Sequence, residues 1–185
     1  MKQQIIRWGS IAAAVGLVCA MSIGSVQADD LKKFKETGKE YVVTSLAPSS
    51  LPQPIFAEAR ERHGAHTQVW CGVLHQFSEN NVGGKGNSVA FEQVHYVADD
   101  PAIPTGVIVY LMKYETVANG DRLVMAGYFI PQTDGSLAAN GWFIPSECTG
   151  RFAGATGKFD TVVGIPGGYI VEGTISTVGA TKKID

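Results

Sequence analysis

The sequence predicts an all-β fold, a small antiparallel β-barrel with an N-terminal extension, and three observations lead there. From Thr67 onward, short apolar runs fit a period of two better than 3.6. Seven such runs follow one another with turn signals at intervals of about ten residues and little helix between them. Glycine is also abundant: losing Gly9, Gly16 and Gly24 with a 28-residue leader leaves 19 of the 22 glycines in 157 residues, well above the ~7% average. Small barrels use glycine where strands bend or coil strongly.

Residues 1–28 read as a secretory signal peptide. Lys2 and Arg7 precede the apolar run Ile11–Val18, and Val26-Gln27-Ala28 provides a small-residue exit. The run is shorter than the ~20 residues that a membrane span needs. Cys19 lacks the small residue expected just before a lipidated cysteine. The mature chain is therefore expected to start near Asp29, to carry no membrane span, and to occupy the periplasm or exterior of a bacterium. Without the leader it has 13 basic and 17 acidic residues, a balance that argues against nucleic-acid binding.

Residues 29–64 form the expected extension. A charged opening, DDLKKFKETGKE, leads through Tyr41-Val42-Val43 into APSSLPQP, where Pro48, Pro52 and Pro54 impose extended or turn geometry. Pro54 then suits the first position of a short helix carrying Ile55, Ala59 and Arg62 at helical spacing, with Gly64 as its stop.

The barrel domain is expected over 65–185, with strands at 68–77, 88–97, 106–117, 122–131, 138–145, 158–164 and 168–178. Ala118-Asn119-Gly120-Asp121 gives the best hairpin signal, because a two-residue type I′ turn needs positive φ at both central positions and Asn-Gly tolerates this. Thr133-Asp134-Gly135-Ser136 predicts another turn, and NNVGGKGN near residue 84 a wider loop.

Export makes Cys71 and Cys148 an even pair in an oxidising compartment, so a disulfide is expected. Closing a loop of this length would stabilise the chain by roughly 4 kcal/mol. A redox or zinc role has little support, since Cys-x-x-Cys is absent. His63 and His66 stand three apart, but no carboxylate or cysteine cluster accompanies them, and no metal or cofactor is expected. No Gly-x-Ser-x-Gly is present to anchor a hydrolase.

TGRFAGATGKF, residues 149–159, is the most distinctive motif. As a phosphate cradle it fails, because its glycine spacing is wrong and Phe159 stands where Ser or Thr would hold magnesium. It reads better as a tight corner between strands, with Gly150, Gly154 and Gly157 at its bends and Arg151 and Phe152 placed by it. Together with ANGDRL at 118–123 and the later GTIS, it resembles bacterial exported proteins of the allene-oxide-cyclase-barrel group, which are related to plant dirigent proteins. The resemblance covers roughly residues 67–178. It implies a calycin-like barrel with an apolar cavity, in which cyclases close a strained fatty-acid epoxide and dirigents steer phenoxy-radical coupling. The lead-in departs from the usual Gly-Gly-Thr-Gly, being Glu147-Cys148-Thr149-Gly150, and fits a local disulfide to Cys71. The resemblance transfers no catalytic position.

A barrel cavity is lined by alternate residues. Along 106–117, Ile108, Tyr110, Met112 and Tyr114 form the more apolar face and are the expected lining, with Lys113 and Glu115 on the other face. Along 122–131 either face could point inward. Along 88–97 both faces mix polar and apolar residues, which singles out Glu92 and His95: an ionisable group in an apolar cavity has a shifted pKa and could move a proton. The plainer alternative is exposure, or burial with a hydrogen-bond partner. Tyr110 and Tyr128 could donate phenolic hydrogen bonds to a ligand, although buried strand tyrosines are usually core.

The expected function is non-catalytic binding of a small apolar or aromatic molecule, with Glu92, His95, Tyr110 and Tyr128 as ligand contacts. An isomerase or cyclase using Glu92 or His95 is the enzymatic alternative. A filled structural or partner-binding barrel, possibly homo-oligomeric through exposed strand faces, is the third; it requires no cavity and an apolar outer patch.

Overall fold

The computed structural model describes residues 31–46, 66–97 and 100–177. Eight strands run β1 (Lys32–Ser45), β2 (His66–Asn80), β3 (Gly84–Val97), β4 (Val107–Val117), β5 (Arg122–Pro131), β6 (Leu137–Phe143), β7 (Thr156–Ile165) and β8 (Gly168–Ser176). Each pairs antiparallel with its chain neighbour, and β8 pairs with β1, so the sheet is a closed barrel without a free edge. The seven strands expected from the alternation are all present.

The eighth strand comes from the segment expected to be an extension. In KKFKETGKEYVVTS, Phe34, Glu36 and Gly38 are buried while Lys33, Lys35, Thr37 and Lys39 between them are exposed. That is the strand period of two, with lysines on the solvent side. The barrel thus starts at Lys32 rather than near residue 65, and β1 bridges the two strands that a seven-stranded meander would leave as edges. The leader at 1–28 and the helix expected over 54–64 lie outside the described residues.

Both expected hairpin turns are present, and the one at 118–121 is a residue longer than the two-residue form expected there. Gly120 N donates to Val117 O (2.8 Å) and Val117 N to Asp121 O (3.0 Å), while Gly135 N donates to Gln132 O (3.1 Å) and Gln132 N to Ser136 O (2.8 Å). Each loop therefore has three residues, a turn followed by a left-handed glycine, with φ of 87° at Gly120 and 85° at Gly135. Asn119 and Asp134 act through their side chains: each Oδ1 accepts the amide two residues on, at 3.1 and 2.9 Å.

The two motifs behind the family resemblance meet at one barrel end. Asp121 Oδ2 accepts from Arg151 N (3.2 Å) and Arg151 Nε (2.9 Å), and Thr149 N donates to Arg122 O (2.8 Å). Gly150 allows this close approach, since a Cβ there would lie 1.8 Å from Asp121 Oδ1. The corner drives Phe152 into the barrel, fully buried beneath Gly83, and this end is plugged.

The expected disulfide is not formed. Cys71 and Cys148 are both buried free thiols. Cys71 Sγ donates to Leu46 O (3.0 Å), while Cys148 Sγ accepts from Val124 N (3.4 Å). Cys71 lies on β2 and Cys148 packs on β5, and β3 and β4 intervene between those strands. An even cysteine count fixes no proximity.

Candidate functional site

Strand register fixes which residues face inward. Gln76 lies opposite Ser88, Ser88 opposite Glu115, Ala90 opposite Lys113, Glu92 opposite Leu111 and Lys113 opposite Met125. The interior is therefore divided. The β1–β4 wall carries Glu36, Gln76, Ser88, Glu92, Lys113 and Glu115, whereas β5–β7 contribute Met125, Phe129, Phe143, Phe159 and Val162.

Part of the polar wall is joined in one network. Lys113 and Glu36, 2% and 0% exposed, form an ion pair through Nζ and Oε1. Lys113 Nζ also donates to the Tyr169 hydroxyl (2.6 Å), which in turn donates to Glu36 Oε1 (2.8 Å). Gln76 Oε1 is 3.2 Å from the same hydroxyl and accepts from Ser88 Oγ at 3.3 Å. Tyr169 reaches this point across β1 because residue 38 is glycine; a Cβ there would lie 2.1 Å from the phenol ring. Burial, followed by the neighbouring Glu36 carboxylate, raises the phenol far above its ordinary pKa, so Tyr169 is a proton-bearing donor.

Glu115 extends the network by accepting from Asn80 Nδ2 (3.0 Å). Burial first, and then the Glu36 carboxylate, push Glu115 up to about 8, with Lys113 opposing. Two carboxyls so close together in a buried site favour a proton on Glu115.

Above this floor lies a cavity of about 200 Å³. Its apolar wall includes Leu111, Met125, Phe129, Phe159 and Val162, and its polar wall consists of Glu40, Gln76, Glu92, Lys113 and Tyr169. Gly141 makes the apolar wall possible, because a Cβ there would lie 1.8 Å from the Phe159 ring. Glu92 is pushed up to about 7 by burial and then by the Glu40 carboxylate. Glu40 has the Gln76 amide at 3.5 Å. Among the described residues no lysine or arginine forms an ion pair with Glu40 or Glu92.

Of the four residues expected to contact ligand, Glu92 lines this cavity. His95, Tyr110 and Tyr128 are brought together on the opposite face of the sheet, with ring centroids 5.0 Å apart for His95–Tyr110 and 6.2 Å for Tyr110–Tyr128. His95 Nε2 bonds to Gln93 Oε1 (2.9 Å), and the Tyr128 hydroxyl accepts from Asn140 Nδ2 (2.9 Å). The lining expected on β4 is likewise reversed: Ile108, Tyr110 and Met112 face outward, yet they are buried, and Leu111, Lys113 and Glu115 face inward. Apolarity does not identify the inner face of a strand buried on both sides.

Sequence reasoning missed Lys113, Glu36, Glu115 and Tyr169 as a group. The available signal was two charges two residues apart, Lys113 and Glu115, within an otherwise apolar strand; burial at those positions requires partners across the barrel. Outside the barrel, Tyr41, His75, Phe77, Phe91 and Tyr114 border a second, more open concavity, where Tyr41 stacks on Phe77 at 4.5 Å. No group of three or more His, Cys, Asp or Glu side chains able to hold a metal ion occurs among the described residues. No helix among them is long and apolar enough to cross a membrane.

No family model and no curated protein matches the chain. Among solved structures it is similar to a protein of unknown function of the DUF3224 family from Shewanella oneidensis MR-1. The two are 12% identical with a TM-score of 0.49, and the alignment covers 78% of this chain and 96% of that one.

Proposed function

We propose that this barrel binds a small apolar or aromatic molecule in its interior, without turning it over, after export directed by residues 1–28. The observation that carries the reading is the amphipathic cavity: a volume suited to about one ring, an aromatic and aliphatic wall, and polar groups confined to one side. An apolar cavity of roughly 150 Å³ is already sufficient to hold benzene. A filled structural barrel would lack such a space. The likeness of ANGDRL and TGRFAGATGKF to allene-oxide-cyclase-type barrels agrees with an interior binding site. The test is thermal denaturation and native mass spectrometry of the full chain with toluene, phenol, hexanol and a medium-chain fatty acid. A one-to-one complex and a raised melting temperature with at least one of them are expected; failure of all four to bind would overturn the reading.

One observation favours a second reading, an isomerase or cyclase. Glu92 borders the cavity with its carboxyl pushed up to about 7, where a general acid–base is most effective, and Tyr169 and Lys113 line the same space. Turnover of a bound ligand that is abolished by Glu92→Gln, with ligand affinity retained, would distinguish this reading from passive binding.

A further inference from the structure

We infer that the bound molecule is longer than the cavity: a single ring with a slender, unbranched apolar substituent that leaves the barrel between β6 and β7, where Leu137 and Gly164 set the width it must have. This rests on the binding reading above and adds the shape of the ligand.

The barrel wall is thinnest at this place. The β6–β7 ladder ends where Ala138 lies opposite Thr161. Beyond it, among the described residues, Leu137 pairs only with Pro131 of β5, and β7 runs on through residues 162–165 paired with β8 alone. The cavity lies inside this gap, and a surface groove of about 400 Å³ lies outside it, along Gly135, Ser136 and residues 160–164. Leu137, Val162 and Gly164 line both spaces. Shared lining residues put the two spaces back to back, with no second layer of side chains between them.

The two sides of the gap differ in a way that suits a narrow chain. Gly164 is exposed, and a Cβ there would meet no atom within 4 Å, so that side is bare backbone beside open space. The facing side carries the half-buried Leu137, and its position is fixed: Gln132 N donates to Ser136 O (2.8 Å) and Thr105 Oγ1 to Pro131 O (2.8 Å), which pins the turn before it. The opposite end of the barrel is plugged by Phe152.

Polarity within the cavity orients the molecule. Met125, Phe129, Phe159 and Val162 belong to the strands that lead to the gap, whereas Gln76 and Tyr169 stand on the polar side. A ring with one polar atom turns that atom toward Gln76 and Tyr169 and its apolar substituent along the β5–β7 wall. Room for about one ring leaves no space for the substituent inside, and the groove receives it.

The test measures binding of phenol, 4-n-pentylphenol and its isomer 4-tert-pentylphenol to the full chain by calorimetry. Each buried methylene adds up to about fourfold in affinity, so 4-n-pentylphenol is expected to bind at least about tenfold more tightly than phenol, and the branched isomer no more tightly than phenol. Leu137→Ala should bring the branched isomer within about threefold of the linear one. Gly164→Val, which narrows the gap from the other side, and Val163→Asp, which places a charge in the groove, should each remove most of the gain from the chain; an unchanged melting temperature shows that both are folded. Equal binding of 4-n-pentylphenol and phenol would overturn the extended site and leave the binding reading standing. Equal binding of the two isomers would overturn the role of Leu137 and Gly164 in setting the width. A gain that survives both Gly164→Val and Val163→Asp would overturn the route between β6 and β7. Absence of binding by all three probes would overturn the binding reading, and the extended site with it.

Discussion

Replacing Lys113 by methionine tests the buried network on which the cavity stands. Methionine keeps an unbranched side chain of nearly the same length, so little cavity is created; what disappears is the one cation that, among the described residues, pairs with Glu36, a carboxyl with no exposed surface. Removing one partner of a buried ion pair costs roughly 3–5 kcal/mol, because the other charge is left uncompensated. Against a total domain stability of about 5–15 kcal/mol this is a large fraction, and for a chain of this size it corresponds to a fall in melting temperature of about 10 °C or more. Replacing both partners, Lys113→Met with Glu36→Gln, removes the stranded charge while Gln can still accept from Tyr169, so at least half of the loss should return. Urea denaturation followed by the fluorescence of Trp70 and Trp142 measures both variants. The reasoning fails if the single substitution costs less than about 1 kcal/mol, or if the double variant is no more stable than the single one.

Three further outcomes follow from the same structure. Glu115 and Glu92 rise from 4.5 to about 8 and about 7 on folding, so between pH 4.5 and 8 the folded state holds more protons than the unfolded one and stability falls as pH rises, by on the order of a few kcal/mol in total; denaturation across that range should show the decline, and Glu115→Gln should flatten it. Gly141→Ala would drive a methyl group into the Phe159 ring and should cost about 1–3 kcal/mol as overpacking, with the cost reduced when Phe159 is changed to Leu at the same time, as a thermal-denaturation double-mutant cycle would show. Cys71 and Cys148 should both react as thiols in denaturant without reductant, and reductant should leave the melting temperature unchanged; a non-reducing mass two units lower would contradict the free-thiol arrangement.

The barrel was legible in the sequence because strand period, turn spacing and glycine content are local properties, and β2 through β8 lie close to where those signals put them. The first strand was harder to see. Its outward residues are lysines and its inward ones include Glu36 and Gly38, so alternation was present but hydrophobicity, the usual reporter of alternation, was weak. The same difficulty concealed the site. Lys113 and Glu115 look like a solvent face until Glu36, 77 residues away from Lys113, is known to stand across the interior. Tyr169 reaches the network only because Gly38 leaves room for its ring, a relation between residues that no window along the chain contains.

The reversal on β4 follows from the same physics and bears on function. An inner face is recognised by apolarity only when the outer face is wet, and Ile108, Tyr110 and Met112 are fully buried on the outside of the barrel. With both faces dry, the face with paired charges must be the one where charges can meet partners from several strands at once, and only the interior of a closed barrel brings β1, β2, β4 and β8 to one point. Paired charges in a doubly buried strand therefore point to the barrel axis. In this chain they lead from Lys113 to Glu36, Tyr169 and Gln76, and through Gln76 to Glu40, one of the two carboxyls that line the cavity.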